Sequence, residues 1–227
     1  MIALLYDIHG NLPALEAVLD DVGEADGWIL GGDYALFGGW PVETVARLRE
    51  LAPATWIRGN GERWTADPGA APDNPVVPGA IVAARRLLGD ETVAELAALP
   101  ATVEHEGALV CHGAPLSDVR SFMPEPVDDE AELLEPVTQS RVIFGHTHLP
   151  FRRRSKVRDI ELVNPGSVGM PFDGDPRAAY ALLHPDGDIE HRRVAYDHEA
   201  SAAHVREIQE GWAETVARRI EQARMDV

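Results

Sequence analysis

Seven side chains able to bind a metal ion stand where short apolar runs give out. Asp7 and His9 follow the run Ile2 to Tyr6, Asp33 follows Trp28 to Leu30 and two glycines, and Asn60 follows Ala54 to Ile57. His112 comes directly after Ala108 to Cys111, and His146 and His148 lie in the sequence Gly-His-Thr-His after Val142 to Phe144. Seven ligands are too many for one tetrahedral ion and suit two, because a carboxylate has two oxygens and one Asp can bridge while the other six side chains divide three and three. Imidazole, carboxylate and amide donors without sulfur suit manganese foremost, or iron, zinc, cobalt or nickel, better than copper(I). Two such ions roughly 3.5 to 4 Å apart are a standard device for in-line displacement at phosphorus. Each residue alone has an ordinary alternative: a helix cap for Asp7, a turn acid for Asp33, a left-handed turn residue for Asn60, a core histidine for His112. Together these alternatives require five strand ends to acquire ligand-type residues independently.

The elements that must gather these residues read as β-α steps followed by a strand-rich second half. Ile2 to Tyr6 is apolar enough for a strand buried on both faces, and Leu12, Leu15, Val18, Leu19 and Val22 form a helical stripe behind it. In open α/β sheets, sites form outside the carboxyl ends of the strands, so residues more than a hundred positions apart can converge there. Strand alternation further predicts that Asp7 and His9 point to the same side. The Pro- and Gly-rich stretch after Asp67, with helical segments near Gly79 to Leu88 and Glu91 to Leu99, predicts a helical cap insertion over about 64–100. Val205, Ile208, Trp212, Val216 and Ile220 predict one long amphipathic helix over about 199–225, packed on the core or on a second copy. The chain, 1–227, is expected to be one α/β domain of packed sheets flanked by helices.

Composition narrows the functions. A formal charge of −18 argues against sequence-independent binding to duplex nucleic acid, which depends on neutralising phosphates. It also means that an anionic substrate needs local positive charge, which bound cations can supply. The single cysteine, Cys111, rules out an all-thiolate zinc site and suits a reducing compartment. With no long apolar span and no signal-like start, the chain is expected to be cytoplasmic and off the membrane.

In order, D-x-H at Asp7 and His9, GD at Gly32-Asp33, GN at Gly59-Asn60, HG at His112-Gly113 and GHTH at Gly145 to His148 resemble the calcineurin-like metallophosphoesterases. The turn Asn164-Pro165-Gly166-Ser167 and the later Asp175-Pro176-Arg177 resemble the small bacterial phosphodiesterase-like branch. The resemblance implies a two-sheet β-sandwich flanked by helices, with one metal on Asp7, His9, Asp33 and His148 and the other on Asp33, Asn60, His112 and His146. It further implies attack on phosphorus by a bridging water or hydroxide, with Asp33, Asn60 and His112 as the catalytic set and a small phosphoester, a nucleotide among them, as substrate.

Two departures bear on substrate. Gly61 stands where many members carry a histidine that serves the leaving group, which leaves Glu62 or another acid to substitute, or a leaving group that needs none. Leu36 and Phe37 stand where eukaryotic-type protein phosphatases carry an Asp and a phosphate-gripping Arg. Arg58 and Arg177 are the candidate replacements for anion contact, and Tyr34, Phe37, Trp40 and Trp64 the candidate aromatic contacts. The basic run Arg152 to Arg158 reads either as a polyanion attractor or as a solvated edge. The competing functions are phosphoprotein phosphatase and a scaffold that keeps the fold without turnover.

Overall fold

The computed structural model describes residues 1–227. In chain order the elements are β1 (Ile2–Leu5), α1 (Leu12–Val22), β2 (Gly27–Leu30), α2 (Pro41–Arg49), β3 (Ala54–Trp56), α3 (Asn60–Ala66), α4 (Val77–Ala97), β4 (Thr102–His105) and β5 (Ala108–Cys111). There follow α5 (Glu130–Leu133), β6 (Arg141–Ile143), β7 (Phe151–Arg154), β8 (Glu161–Asn164), β9 (Ala178–Leu183), β10 (Ile189–Val194), α6 (His198–Arg206) and α7 (Ala213–Gln222). Two five-stranded sheets form, in the orders β10-β9-β1-β2-β3 and β4-β5-β6-β8-β7. Strands β1, β2 and β3 run parallel, as do β5, β6 and β8, and these six carboxyl ends support the candidate site. This is an α/β fold of two mixed sheets flanked by helices.

Period-two patterning decides which residues join the sheets. Leu4 and Tyr6 point into the layer between them, with Ile29, Val110, Ile143 and Val163, while Ala3 and Leu5 point out against α1 and α2 with Leu15, Val18 and Leu48. On the far side, Phe122, Leu133, Val142 and Phe144 fill the space under α5. A further apolar cluster lies off the sheets, where Trp64, Val77 and Ile81 of the insertion meet Val205, Trp212 and Val216 of the C-terminal helices.

One element expectation needs correction. The C-terminal segment is two helices rather than one, because Gln209 adopts a left-handed conformation (φ 58°) and Gly211 follows it, which interrupts the hydrogen-bond ladder between α6 and α7. Its apolar stripe survives the break and faces the insertion, so it is used within the chain. The two helical segments anticipated in the insertion are both present within α4, separated at Gly89, whose backbone (φ 76°, ψ 158°) is not helical. Helix α5 is a single turn.

Candidate metal centre

All seven anticipated ligands converge, but not by strand alternation. Strand β1 ends at Leu5, and Asp7 and His9 lie beyond it with φ of 53° and 50°. Asp33, His146 and His148 are also left-handed, at 56°, 66° and 59°. That conformation costs an L-residue about 1 to 2 kcal/mol, so five of the seven are held in it by their surroundings. Each turns the chain sharply after a strand and returns a side chain toward the common centre.

The geometry leaves lone pairs facing one another. His9 Nδ1 donates to the Leu36 carbonyl at 2.9 Å and His148 Nδ1 to that of Met170 at 2.5 Å. In its neutral form each ring therefore presents an unprotonated Nε2, and these two atoms lie 3.1 Å apart. Asp7 Oδ1, buried and without a hydrogen-bond partner, is 3.4 Å from His148 Nε2 and 3.9 Å from His9 Nε2. Three lone pairs enclosed without a donor repel, and a cation between them removes the conflict. The second group is built alike. His112 Nδ1 donates to the Gly31 carbonyl at 2.8 Å, and the Asn60 side-chain oxygen faces His112 Nε2 at 3.0 Å and His146 Nδ1 at 2.8 Å, with the Asp118 carbonyl 3.0 Å away. Turning the Asn60 amide over would offer two N–H groups to three acceptors, so at least one stays unsatisfied.

Two clusters able to hold divalent ions result, Asp7 with His9 and His148, and Asp7 with Asp33 and His112. Asp33 reaches toward both, its Oδ2 lying 3.8 Å from His9 Nε2 and its Oδ1 3.5 Å from His112 Nε2. Asp7 Oδ1 is likewise 3.8 Å from His112 Nε2, so two carboxylates, not Asp33 alone, lie between the histidines.

Electrostatics match this donor set. Burial pushes His9 down to about 3 and His146 to about 4, which keeps both rings neutral and able to coordinate. Burial, with Glu62 and Asp7 nearby, pushes the Asp33 carboxyl up to about 7 against the opposing pull of His112. Burial alone would raise Asp7, but His148, His112 and His9 hold it well below the usual carboxylate range.

The surrounding residues explain how such loops stay put. Glu62 accepts from the backbone N–H groups of Gly59 at 2.8 Å, Asp33 at 2.9 Å and Tyr34 at 2.8 Å, and so binds the second and third ligand loops together. It is a buried clamp with its oxygens occupied, which removes it as a substrate contact or general acid. The Asn-Pro-Gly-Ser turn has a comparable task. Asn164 Nδ2 donates to the Gly145 carbonyl at 3.0 Å and Thr147 Oγ1 at 2.9 Å, and Ser167 Oγ donates to the Asp7 carbonyl at 2.7 Å. Gly169 follows, its N–H bonded to that same Asp7 carbonyl, with no room for a side chain because a Cβ would stand 1.8 Å from the Ile8 carbonyl oxygen.

A cavity of about 1230 Å³ opens over the clusters, with His9, Asp33, Asn60, His146 and His148 in its floor. Trp64 and Phe37 line it, whereas the other anticipated contacts do not. Tyr34 is fully buried, its hydroxyl donating to the Leu30 and Ile57 carbonyls. Arg58 turns to the Ala97 carbonyl, Arg177 pairs with Asp175 at the surface, and Trp40 stacks on His204. Three arginines of the basic run are paired on edge strand β7, Arg152 with Glu161 and Asp188, Arg153 with Glu130, and Arg154 with Asp159. Two arginines that the motifs did not flag do line the cavity, Arg63 and Arg219. Arg63 was within reach of a sequence argument, since it lies three residues after Asn60 on one helix face. Asp118 holds it through two bonds of 2.6 Å, leaving Nη1 outside that pairing.

Residues 1–188 match the family model described as the calcineurin-like phosphoesterase superfamily domain. An uncharacterized protein of Methanocaldococcus jannaschii is 29% identical over 220 residues, covering 87% of this chain and 88% of its own. The phosphodiesterase YfcE of Escherichia coli is 28% identical over 202 residues, covering 83% and 90%. Among solved structures, a metallophosphoesterase from Sphaerobacter thermophilus superposes with a TM-score of 0.84 at 29% identity, covering 98% of this chain and 99% of that one.

Proposed function

The chain belongs to the calcineurin-like phosphoesterase superfamily, in its small phosphodiesterase-like branch, and from that premise we propose that it is a dinuclear metallophosphodiesterase acting on a small organic phosphoester. At the coarser level, fold and Asp–His clusters are those of a metal-dependent phosphoester hydrolase. The observation that carries the finer reading is the convergence of four imidazoles and two buried carboxylates on one centre.

The donor set fits two divalent ions, manganese being the first to test. In this reading Asp7, His9 and His148 hold one, Asn60, His112 and His146 the other, and Asp33 belongs to both. Two ions so placed would acidify a water and neutralise phosphoryl charge. The chain's own residues do the rest. Neutral His9 and His146 keep their lone pairs available at ordinary pH. Glu62 fixes the loop that presents Asp33, and the Gly61 N–H, bonded to Asp33 Oδ1 at 2.7 Å, orients that carboxylate. Arg63 offers Nη1 to a phosphoryl oxygen. Neither position 61 nor 62 supplies an acid for the leaving group: a Cβ on Gly61 would come within 2.9 Å of Asp33 Oδ1, and Glu62 is bound to backbone. Esters with stable leaving anions are therefore favoured. Leu36 and Phe37, buried where a protein phosphatase would place charged groups, argue against a phosphoprotein substrate.

The test is turnover of bis(p-nitrophenyl) phosphate against p-nitrophenyl phosphate with manganese. Faster hydrolysis of the diester is expected, and a loss of about 100-fold or more in Asp33→Asn. Metal uptake without turnover of either ester would point instead to a binding scaffold.

A further inference from the structure

The cavity is too large for a lone phosphoryl group. Pockets for drug-sized ligands span about 300 to 1,000 Å³, and this one matches or exceeds them. Its wall is apolar on one side, with Phe37, Trp64, Val76, Met170 and Phe172, the last stacked on His148 at 4.3 Å between ring centroids.

Helix α7 crosses that wall and presents Thr215 and Arg219, four residues apart and so on one face. Of the twenty Lys and Arg residues in this acidic chain, fifteen form ion pairs; Arg58, Lys156, Arg158, Arg219 and Arg224 form none. Of those five only Arg219 lines the cavity. Its Nε donates to the Met225 carbonyl at 3.1 Å, which fixes the guanidinium and leaves both terminal nitrogens available. Besides Asp33, the one carboxylate side chain on the wall is Asp226, and it forms no ion pair with Arg219. An unpaired cation kept half-buried among 38 acids, on the wall of a site for anions, is placed to read negative charge.

We propose that Arg219, with Thr215 beside it, contacts a second phosphate of the substrate, so that the preferred ligands carry an apolar body and a further phosphate beyond the one seated at the Asp–His clusters. This rests on the phosphodiesterase reading and narrows its substrate class.

Calorimetry on the manganese-loaded full chain tests it, comparing AMP with α,β-methylene ADP, whose P–C–P link resists hydrolysis. The second phosphate should tighten binding about tenfold in the wild type, as a charge-assisted contact would. Arg219→Gln should bring that ratio close to one, and Arg219→Lys should keep most of it. Arg218→Gln removes the same charge from an exposed, Glu214-paired position on the same helix and should keep the full ratio. Because chelation of free manganese by the nucleotides is common to all variants, differences between variants report the protein. An unchanged ratio in Arg219→Gln, an equal loss in Arg218→Gln, or no gain in the wild type would each overturn the assignment. Absence of p-nitrophenyl ester turnover with the binding ratios as expected would overturn the catalytic reading alone.

Discussion

At the residue scale the site is a set of mutually repelling groups held together by others that do no chemistry. Glu62 is the clearest case, since one carboxylate satisfies three backbone N–H groups from two loops. Glu62→Gln puts an N–H where an acceptor is needed and should lower unfolding free energy by about 2 to 4 kcal/mol, read as a drop in urea midpoint at constant slope. Asp33 gives a signed pH prediction. Its carboxyl, pushed up to about 7, keeps a proton in the metal-free folded chain that the unfolded chain has already lost, so its contribution to stability disappears as pH rises from about 4 to 7. Neutral His9 and His146 act in the opposite sense, being costly to keep unprotonated at low pH, so total stability alone does not isolate Asp33. The variant does: metal-free Asp33→Asn should gain stability relative to wild type at pH 7.5 but not at pH 4, by thermal unfolding. Equal differences at both values would refute the assigned shift.

At the element scale, the ends of the strands were legible and the means of holding them was not. Each candidate ligand could be placed because a short apolar run followed by glycine or a polar residue marks a strand terminus, and the family motifs gave the order. What could not be read was the left-handed backbone at Asp7, His9, Asp33, His146 and His148, because it depends on neighbours up to 160 positions away, such as the Ser167 hydroxyl on the Asp7 carbonyl. For the same reason Glu62 looked like a free acid, Arg58 and Arg177 looked like anion contacts, and Arg219 carried no signal. The C-terminal stripe gave the correct buried face but concealed the break at Gln209, since a helical period persists across a short turn. Gly169→Ala probes the long-range support directly. Its new Cβ would meet the Ile8 carbonyl, force the β8–β9 connection away from the Asp7 loop, and cost ~3 kcal/mol together with weakened manganese binding. Normal stability and metal affinity in that variant would show that the turn does not support the loop.

For the whole molecule, a sheet of N- and C-terminal strands (β1–β3, β9, β10) packs on a sheet of the middle strands (β4–β8) so that six parallel strand ends share one rim, and the insertion and C-terminal helices add a walled cavity above it. The sheets bury their apolar residues away from the rim, and the rim gathers buried carboxylate oxygens and imidazole nitrogens that a cation between them would relieve. Manganese should therefore stabilise the folded chain by mass action, about 2.7 kcal/mol at a free concentration 100 times its Kd, and chelation should reverse the gain. The most direct test of the central claim is anomalous diffraction from a crystal of the manganese-soaked protein. Two peaks roughly 3.5 to 4 Å apart are expected, one against Asp7, His9 and His148, the other against Asn60, His112 and His146, with Asp33 touching both. A single peak, or none, with Asp33 turned away from the histidines would contradict it.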